Sequence, residues 1–300
     1  MELDFISMAA SLPHNSDEYC KLVARYKPQI ATWLKSVKDS ADSGRMFYTS
    51  ESAKEVFSVY KYKCACGTAE CYKHTMIEPL AFLLRHPAAL CAHLFPRMFR
   101  NDRAALMSGS FLFFSTKEVT DSASGTSVLI DLGAAVRPQG RPFFLLSAYE
   151  YRGVLFDRIL LWEAEQATGS VIFSKVPKRW FHAYQFFNVP VTLNSGDDDY
   201  PLNVLNKVAT KNSFVAIKID IDHSLLENAV IAQVQQRGLE GSLPFIQSGH
   251  MELFYEHHVN TPLMLPWWLD SGKLSNLTLL DSYNMFSQMR KQGIRAHGWY

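Results

Sequence analysis

Residues 214–223 read Phe-Val-Ala-Ile-Lys-Ile-Asp-Ile-Asp-His, an apolar run of strand length that leads into two acids. A helix signal follows at once, since Ser224 and Glu227 have the capping-box spacing and an apolar stretch lies at 229–234. Another apolar run covers residues 251–257. Strand, helix and strand in this order predict a β-α-β crossover, which joins parallel strands and places the helix on one side of the sheet.

Further apolar runs of strand length lie on both sides of this unit and alternate with longer amphipathic segments. The complete set of candidate strands is 127–132, 157–162, 185–191, 214–219, 251–257 and 294–299. Such alternation is typical of a mostly parallel sheet with helices on both faces. We therefore predict an α/β fold, with a Rossmann-like domain over residues 121–300.

The first 120 residues have a different pattern, with apolar residues at mixed three- and four-residue spacings over 18–37 and 50–62. A long apolar stretch at 77–95 is interrupted by Pro79 and Pro87. These features predict a mainly helical N-terminal region over residues 1–120. The polar, small-residue segment at 120–126 marks its boundary.

The composition restricts the partners of the protein. A chain of 300 residues with 48% hydrophobic content can fill one large core, or one core and a smaller lobe. The formal charge of +1 provides no strong basic field for nucleic acid or an anionic membrane. Acids near the N-terminus do not fit a signal peptide, and no apolar run reaches the roughly 18 residues of a membrane span. We expect a soluble, cytoplasmic protein, since its five cysteines fit a reducing compartment better than paired disulfides.

Polar or small residues directly follow the first two predicted strands. Ligands of open parallel sheets bind beyond the carboxyl ends of the strands. Asp131, Gly133 and Ala134 form a turn where the backbone can approach a ligand closely, although many strands end in glycine simply to turn. Glu163 is placed to accept hydrogen bonds from a ribose, and its alternative role is that of an ordinary acid at a helix start.

The acids at the end of the strand at 214–219 are the sharpest functional signal. Because side chains alternate along a strand, Lys218, Asp220 and Asp222 share one face. Two adjacent carboxylates repel unless a cation or donor lies between them, so the pair indicates a divalent metal, a basic substrate or general-base work. The structural alternative has Asp220 at a helix N-terminus and Lys218 in a salt bridge.

Two neighbouring histidines follow the strand at 251–257. His257 and His258 point to opposite faces if the chain stays extended, so only one can share a site with Asp222. We select His257 as a candidate base or metal ligand. The alternative is a neutral histidine packed under a loop.

The N-terminal region contains three thiols and an imidazole within eleven residues, namely Cys64, Cys66, Cys71 and His74. Four such groups suffice for a tetrahedral zinc site, but the CxxC pairs of common zinc fingers are missing. Structural zinc, a disulfide from Cys64 or Cys66 to Cys71, and free thiols are the three alternatives.

Taken in order, these segments resemble the FkbM-like branch of the class I S-adenosylmethionine-dependent methyltransferases. The matching segments are Asp131-Leu132-Gly133-Ala134, Trp162-Glu163, residues 200–205, Lys218-Ile219-Asp220-Ile221-Asp222, residues 254–257 and residues 289–294. His223 stands where the motif of the family has a glycine, and residues 135–140 lack its usual Asn and second glycine. Residues 156–164, 188–191, 218–222, 254–259 and 293–299, together with residues 77–87, are similar to algal and protist proteins without an established activity.

The resemblance implies a cofactor and a role for each matching residue. It implies that Asp131, Gly133 and Ala134 lie beside the methionine part of S-adenosylmethionine and that Glu163 holds its ribose. It also implies that Asp220 and Asp222 face the substrate.

Three hypotheses about function follow. The first is O-methylation of a small molecule or sugar hydroxyl, with Asp222 or His257 accepting the proton. The second is a nucleotide-sugar glycosyltransferase, in which Asp220-Ile221-Asp222 binds a divalent cation that carries a diphosphate. The third is a noncatalytic subunit that binds a protein partner and has retained the fold while its glycine-rich turn changed.

Overall fold

The computed structural model describes residues 17–28, 31, 59–63, 72–76, 91–95, 125–134, 143–151, 153–174, 176–194, 196–258 and 277–299. Most of the described residues belong to one sheet and its covering helices. The sheet has six strands, and all neighbouring pairs are parallel. Its strands are β3 (Ser127–Leu132), β4 (Arg158–Trp162), β5 (Tyr184–Phe187), β6 (Phe214–Ile219), β7 (Met251–Tyr255) and β8 (Arg295–Gly298). The predicted α/β, Rossmann-like fold is therefore confirmed.

The strand order is β5-β4-β3-β6-β7-β8. After β3, the chain forms β4 and β5 towards one edge of the sheet. It then forms β6, β7 and β8 on the other side of β3, towards the opposite edge. The order reverses between β3 and β6, which pair from Ser127 with Phe214 to Leu132 with Ile219. In doubly wound sheets this reversal opens a crevice at the carboxyl ends of the two strands.

Helices cover both faces of the sheet. They are α2 (Phe144–Tyr151), α3 (Gly169–Phe173), α4 (Lys178–Phe181), α5 (Pro201–Val208), α6 (Ser224–Leu239), α7 (Pro244–Gln247) and α8 (Leu279–Lys291). Side chains of α5, α6 and α8 pack with Val128, Ile130 and Leu132 in one core. The other core joins α2 and Trp180 of α4 to Leu129 and Leu161. Every residue of β3, β6 and β7 is buried, which explains why these strands read as nearly continuous apolar runs.

The N-terminal region contains both helix and strand. Helix α1 (Asp17–Arg25) lies where the sequence predicts a helix. Strands β1 (Val59–Lys63) and β2 (Tyr72–Met76) form an antiparallel pair, so the helical prediction for 50–62 is wrong over its last residues. A disulfide joins Cys20 of α1 to Cys91, beside a short 3-10 turn at Ala92–Leu94. This pair departs from the expectation that the cysteines are reduced.

Within the residues described, no helix combines the length and apolar character needed to cross a membrane.

Candidate functional site

A cavity of about 320 Å³ opens at the carboxyl ends of β3, β4 and β6, where the strand order reverses. Its lining combines small, apolar and acidic side chains: Gly133, Trp162, Glu163, Ala164, Glu165, Val191, Asp220, Ile221 and Asp222. The structure thus brings Gly133, Glu163 and Asp222 to one cavity, although they are far apart in the chain. Among the residues that the structure describes, four that line the cavity are acids and none is a lysine or arginine.

The turn after β3 is shaped by the close approach of the chain leaving β6. Gly133 has φ +86°, and a Cβ on it would lie 1.7 Å from the carbonyl oxygen of Asp220. The amide groups of Gly133 and Ala134 both donate to the carbonyl of Trp162 at 3.1 Å. The fold therefore requires this glycine whether or not a ligand is bound. Ala134 is buried in the core on the α2 side of the sheet and does not line the cavity, contrary to its predicted role.

Lys218 joins two acids beneath the cavity. Its Nζ lies 2.9 Å from Oδ1 of Asp131 and 3.1 Å from Oδ2 of Asp220, and it donates to the carbonyl of Gly133 at 3.2 Å. Burial raises the pKa of Asp131. Burial would lower the pKa of Lys218, but the two carboxylates outweigh it and hold that pKa above the ordinary value. Asp131 is thus held within the sheet rather than on the cavity wall, and the predicted salt bridge of Lys218 is present.

The buried Glu256 and the partly exposed Asp220 form a carboxyl pair between the ends of β6 and β7. Burial, followed by the nearby charge of Asp220, raises the pKa of Glu256 to about 7, and its protonated form donates a hydrogen bond to Asp220. Burial would also raise the pKa of Asp220, but Lys218 and the hydrogen bonds from Glu256 and Trp299 leave it below the usual range. Trp299 Nε1 donates to Asp220 Oδ2 at 3.2 Å. Asp220 is therefore fully engaged by neighbouring protein groups.

Asp222 is the exposed acid of the motif, and Glu227 holds its backbone in place. Asp222 has φ +63°, a left-handed conformation that is uncommon for residues other than glycine. Oε1 of the fully buried Glu227 accepts the amides of Ile221 at 2.8 Å and Asp222 at 3.1 Å. The predicted capping box is therefore wrong. His223 caps α6 instead, because its Nδ1 accepts the amide of Leu226 at 3.2 Å while Glu227 binds the preceding turn.

The structure places His258, rather than the predicted His257, beside Asp222. His258 Nε2 lies 3.1 Å from Oε2 of Glu256, and its Nδ1 lies 3.0 Å from Oγ of Ser224. His257 is buried with its ring stacked on Tyr255 at a centroid distance of 5.1 Å. The alternation of a strand does separate the two histidines, but β7 ends at Tyr255, so the sequence does not show which ring turns towards β6.

Asp222, Glu256 and His258 form a group whose potential ligand atoms all lie within 4.8 Å of one another. Asp222 is one of the two acids that the sequence predicts to bind a divalent metal. Asp220 is not part of the group, because that carboxylate is taken up by Lys218, Trp299 and Glu256. Two carboxylates and one imidazole are a donor set suited to a divalent cation.

Glu163 lies at the mouth of the cavity after β4. Its Oε1 accepts a hydrogen bond from the amide of Glu165 at 2.7 Å, which closes a turn shortly after β4. The side chain of Asn188 donates to the carbonyls of Glu163 and Glu165 at 2.9 and 2.8 Å. Asn188 therefore fixes this wall of the cavity, a role that sequence analysis missed because a lone asparagine after a strand has no distinctive pattern.

The predicted zinc ligands Cys64, Cys66 and Cys71 lie outside the described residues. The fourth, His74, belongs to β2, where its backbone pairs with Lys61 of β1. The zinc hypothesis stays a prediction.

Comparisons with protein families, curated proteins and solved structures find no match to this chain.

Proposed function

We propose that the protein is an S-adenosylmethionine-dependent methyltransferase-like enzyme that methylates a hydroxyl of a small molecule or sugar. The observation that carries the proposal is the acidic cavity at the strand-order reversal, with Glu163 at the end of the strand next to β3. In open α/β sheets, this place binds nucleotides and related cofactors.

The size and charge of the cavity favour this cofactor over a dinucleotide. A volume of about 320 Å³ lies at the small end of the roughly 300–1,000 Å³ typical of ligand pockets. The described part of the lining has four acids and no lysine or arginine, which disfavours the two phosphates of a dinucleotide. The same lining attracts a ligand that carries a sulfonium and an ammonium group.

Glu163 supports the ribose assignment. Oε1 of this carboxylate is used by the turn, whereas Oε2 makes no hydrogen bond or ion pair with any residue that the structure describes. A carboxylate at this strand end accepts hydrogen bonds from ribose hydroxyls in related folds. We propose that Glu163 Oε2 holds the ribose and that Trp162 and Val191, which line the cavity, border the adenosyl group.

Asp222 is the acid best placed to accept the proton of the substrate. It is exposed, lines the cavity and is held by Glu227, whereas Asp131 and Asp220 are tied to Lys218. The cofactor would supply a methyl group on a sulfonium: the carbon–sulfur bond breaks as the carbon–oxygen bond to the substrate forms. The hydroxyl proton then passes to the Asp222 carboxylate.

Isothermal titration calorimetry of the full chain with S-adenosylmethionine tests the proposal. We expect one binding site in the wild type and an affinity about tenfold lower in Glu163→Gln, in line with the loss of one charge-assisted hydrogen bond of roughly 1.5 kcal/mol. The control is Glu240→Gln, an exposed acid at the end of α6, which should bind like the wild type. No binding to folded wild-type protein at millimolar cofactor would refute the proposal.

A metal-dependent nucleotide-sugar glycosyltransferase is the second candidate, and the group of Asp222, Glu256 and His258 favours it. A divalent cation at these residues offsets the negative lining and can carry a diphosphate to the cavity. A thermal shift measured with a nucleoside diphosphate, with and without Mn²⁺, separates the candidates. Protection by the diphosphate that requires Mn²⁺ would favour the glycosyltransferase over the methyltransferase.

A further inference from the structure

We infer that Asp222, Glu256 and His258 form a site for a divalent transition metal at the edge of the cavity, with Glu227 as the residue that positions two of its ligands. The site shares Asp222 with the proposed methyltransferase activity. It uses no part of a methyl donor, so metal binding and cofactor binding can be measured separately.

The ligands come from two neighbouring strand ends. Asp222 follows β6, and Glu256 and His258 follow β7, which pairs with β6 along its length. The amide of Glu256 donates to the carbonyl of Ile219 at 3.1 Å, which keeps the two strand ends together beyond the sheet. The three potential ligand atoms lie within 4.8 Å of one another. Two ligands of one ion with bonds of about 2.0–2.2 Å are at most about 4.4 Å apart, so a small movement of these side chains would let them share one ion.

Glu227 provides an independent indication. Its side chain is fully buried, and its Oε2 has no hydrogen bond although it lies 3.9 Å from Nδ1 of His258. A buried carboxylate oxygen without a hydrogen bond is costly. Metal-binding histidines, however, usually direct their second ring nitrogen at a carboxylate, which orients the ring and increases its basicity.

The orientation of the His258 ring fits this arrangement. Nε2 faces Glu256 at 3.1 Å, while Nδ1 faces Ser224 Oγ at 3.0 Å and Glu227 Oε2 at 3.9 Å. Nε2 is thus the nitrogen on the side of Glu256, and Nδ1 is the nitrogen on the side of Ser224 and Glu227. Because Glu227 Oε1 also holds the amide of Asp222, one buried side chain positions ligands from both strands.

The donor set and the exposure of Asp222 define the kind of site. Two carboxylates and an imidazole suit Mn²⁺ or Zn²⁺ better than Ca²⁺, which prefers oxygen ligands alone. The described part of the chain supplies three protein ligands, a number that leaves coordination positions open, as in catalytic rather than structural metal sites. Since Asp222 also lines the cavity, an open position lies beside it, where a substrate hydroxyl or a water molecule would bind and ionise more readily.

Metal binding by the tag-free, chelator-treated full chain tests the inference. We expect calorimetry with Mn²⁺ alone and with Zn²⁺ alone to show one site per chain for at least one of the two ions. Asp222→Asn should weaken binding at least 100-fold and still fold, because Asp222 is exposed. Asp198→Asn, which changes an exposed acid paired with Lys207 and distant in sequence from the site, should bind like the wild type.

Glu227→Gln tests the positioning role. The amide can still accept backbone hydrogen bonds but loses the negative charge near His258, so we expect affinity to fall about 10- to 100-fold. The paramagnetic resonance spectrum of bound Mn²⁺ should change as well, a change that an effect on folding alone would not produce. Absence of a one-to-one site in the wild type, or unchanged affinity in Asp222→Asn, would overturn the inference.

A separate titration distinguishes this failure from failure of the proposed function. S-adenosylmethionine is added to chelator-treated wild-type protein and to the metal-loaded form. If the cofactor binds and no metal binds, only the metal-site inference is refuted. If a metal binds and the cofactor does not, only the methyltransferase proposal is refuted.

Discussion

The fold leaves no room for a side chain at Gly133. The chain leaving β6 passes so close that a Cβ would lie 1.7 Å from a backbone oxygen, and φ is +86°. Gly133→Ala should destabilise the protein by about 2–5 kcal/mol, the sum of a left-handed non-glycine residue and overpacking against backbone. Urea unfolding of the purified variant measures this change.

Gly169 supplies the matched control. A Cβ there would contact nothing within 4 Å, and the residue begins α3. Gly169→Ala should leave the free energy of unfolding unchanged or raise it slightly, because alanine is the better helix former. Equal stability of the two variants would show that the turn at Gly133 can widen and that the fold does not require this glycine.

The sequence predicts the direction of a side chain within a strand, but it does not predict the contacts of residues that follow the end of the strand. Period-two alternation correctly separated His257 from His258 but did not show which one faces Asp222, since that depends on the chain after Tyr255. Glu227 looked like half of a capping box, yet it binds the turn before its own helix. These contacts depend on the geometry of the turn between β6 and α6, which the local sequence pattern does not predict.

The pairing of β7 with β8 depends on a buried network of polar side chains. Glu252 of β7 and Arg295 of β8 are both fully buried, with Oε1 and Nη1 3.1 Å apart. His297 Nε2 lies 3.4 Å from the same oxygen, and Tyr149 of α2 donates to Oε2. Burial would raise the pKa of Glu252, but Arg295 and these hydrogen bonds outweigh it and lower the pKa below the ordinary value of 4.5.

This network predicts a pH dependence of stability. Because folding lowers the pKa of Glu252, its charge contributes stability above pH 4.5, and the contribution is lost as the pH falls below that value. Glu252→Gln should cost about 3–5 kcal/mol at pH 7, since the buried Arg295 loses the negative charge beside it. Unfolding curves between pH 7 and pH 3 should show the gap between wild type and variant narrowing below pH 4.5. A constant gap across this range would contradict the assignment.

Secondary structure elements were predictable where burial leaves a continuous pattern. All six strands of the sheet were located, with ends within a few residues. The signal is clearest for β3, β6 and β7, because strands buried on both faces read as nearly continuous apolar runs. The strand at Val59–Lys63 was missed, although Val-Tyr-Lys-Tyr-Lys alternates apolar and basic residues at period two. Its short length let the helical spacing of the preceding residues dominate the interpretation.

At the scale of the whole molecule, the N-terminal region is attached to the sheet domain through α1. Tyr19 of α1 is fully buried with its hydroxyl close to Tyr283 of α8, and burial raises its pKa. The neighbouring Cys20 is bonded to Cys91, 71 residues along the chain. The sequence could not predict this pairing, because five cysteines without a motif do not show which two meet.

The disulfide should stabilise the protein by restricting the unfolded chain. Cross-links of this kind typically contribute about 2–4 kcal/mol, and more when the closed loop is long. We expect the double variant Cys20→Ser/Cys91→Ser to lose stability in this range, and the wild type with a reducing agent to lose a similar amount. Mass spectrometry of a non-reduced digest should identify a linked pair of peptides that contain Cys20 and Cys91. If the reducing agent destabilises the double variant as much as the wild type, the bond between Cys20 and Cys91 is not the one that stabilises the protein. Helix α1 would then be held by side-chain packing, for example of Tyr19 near Tyr283.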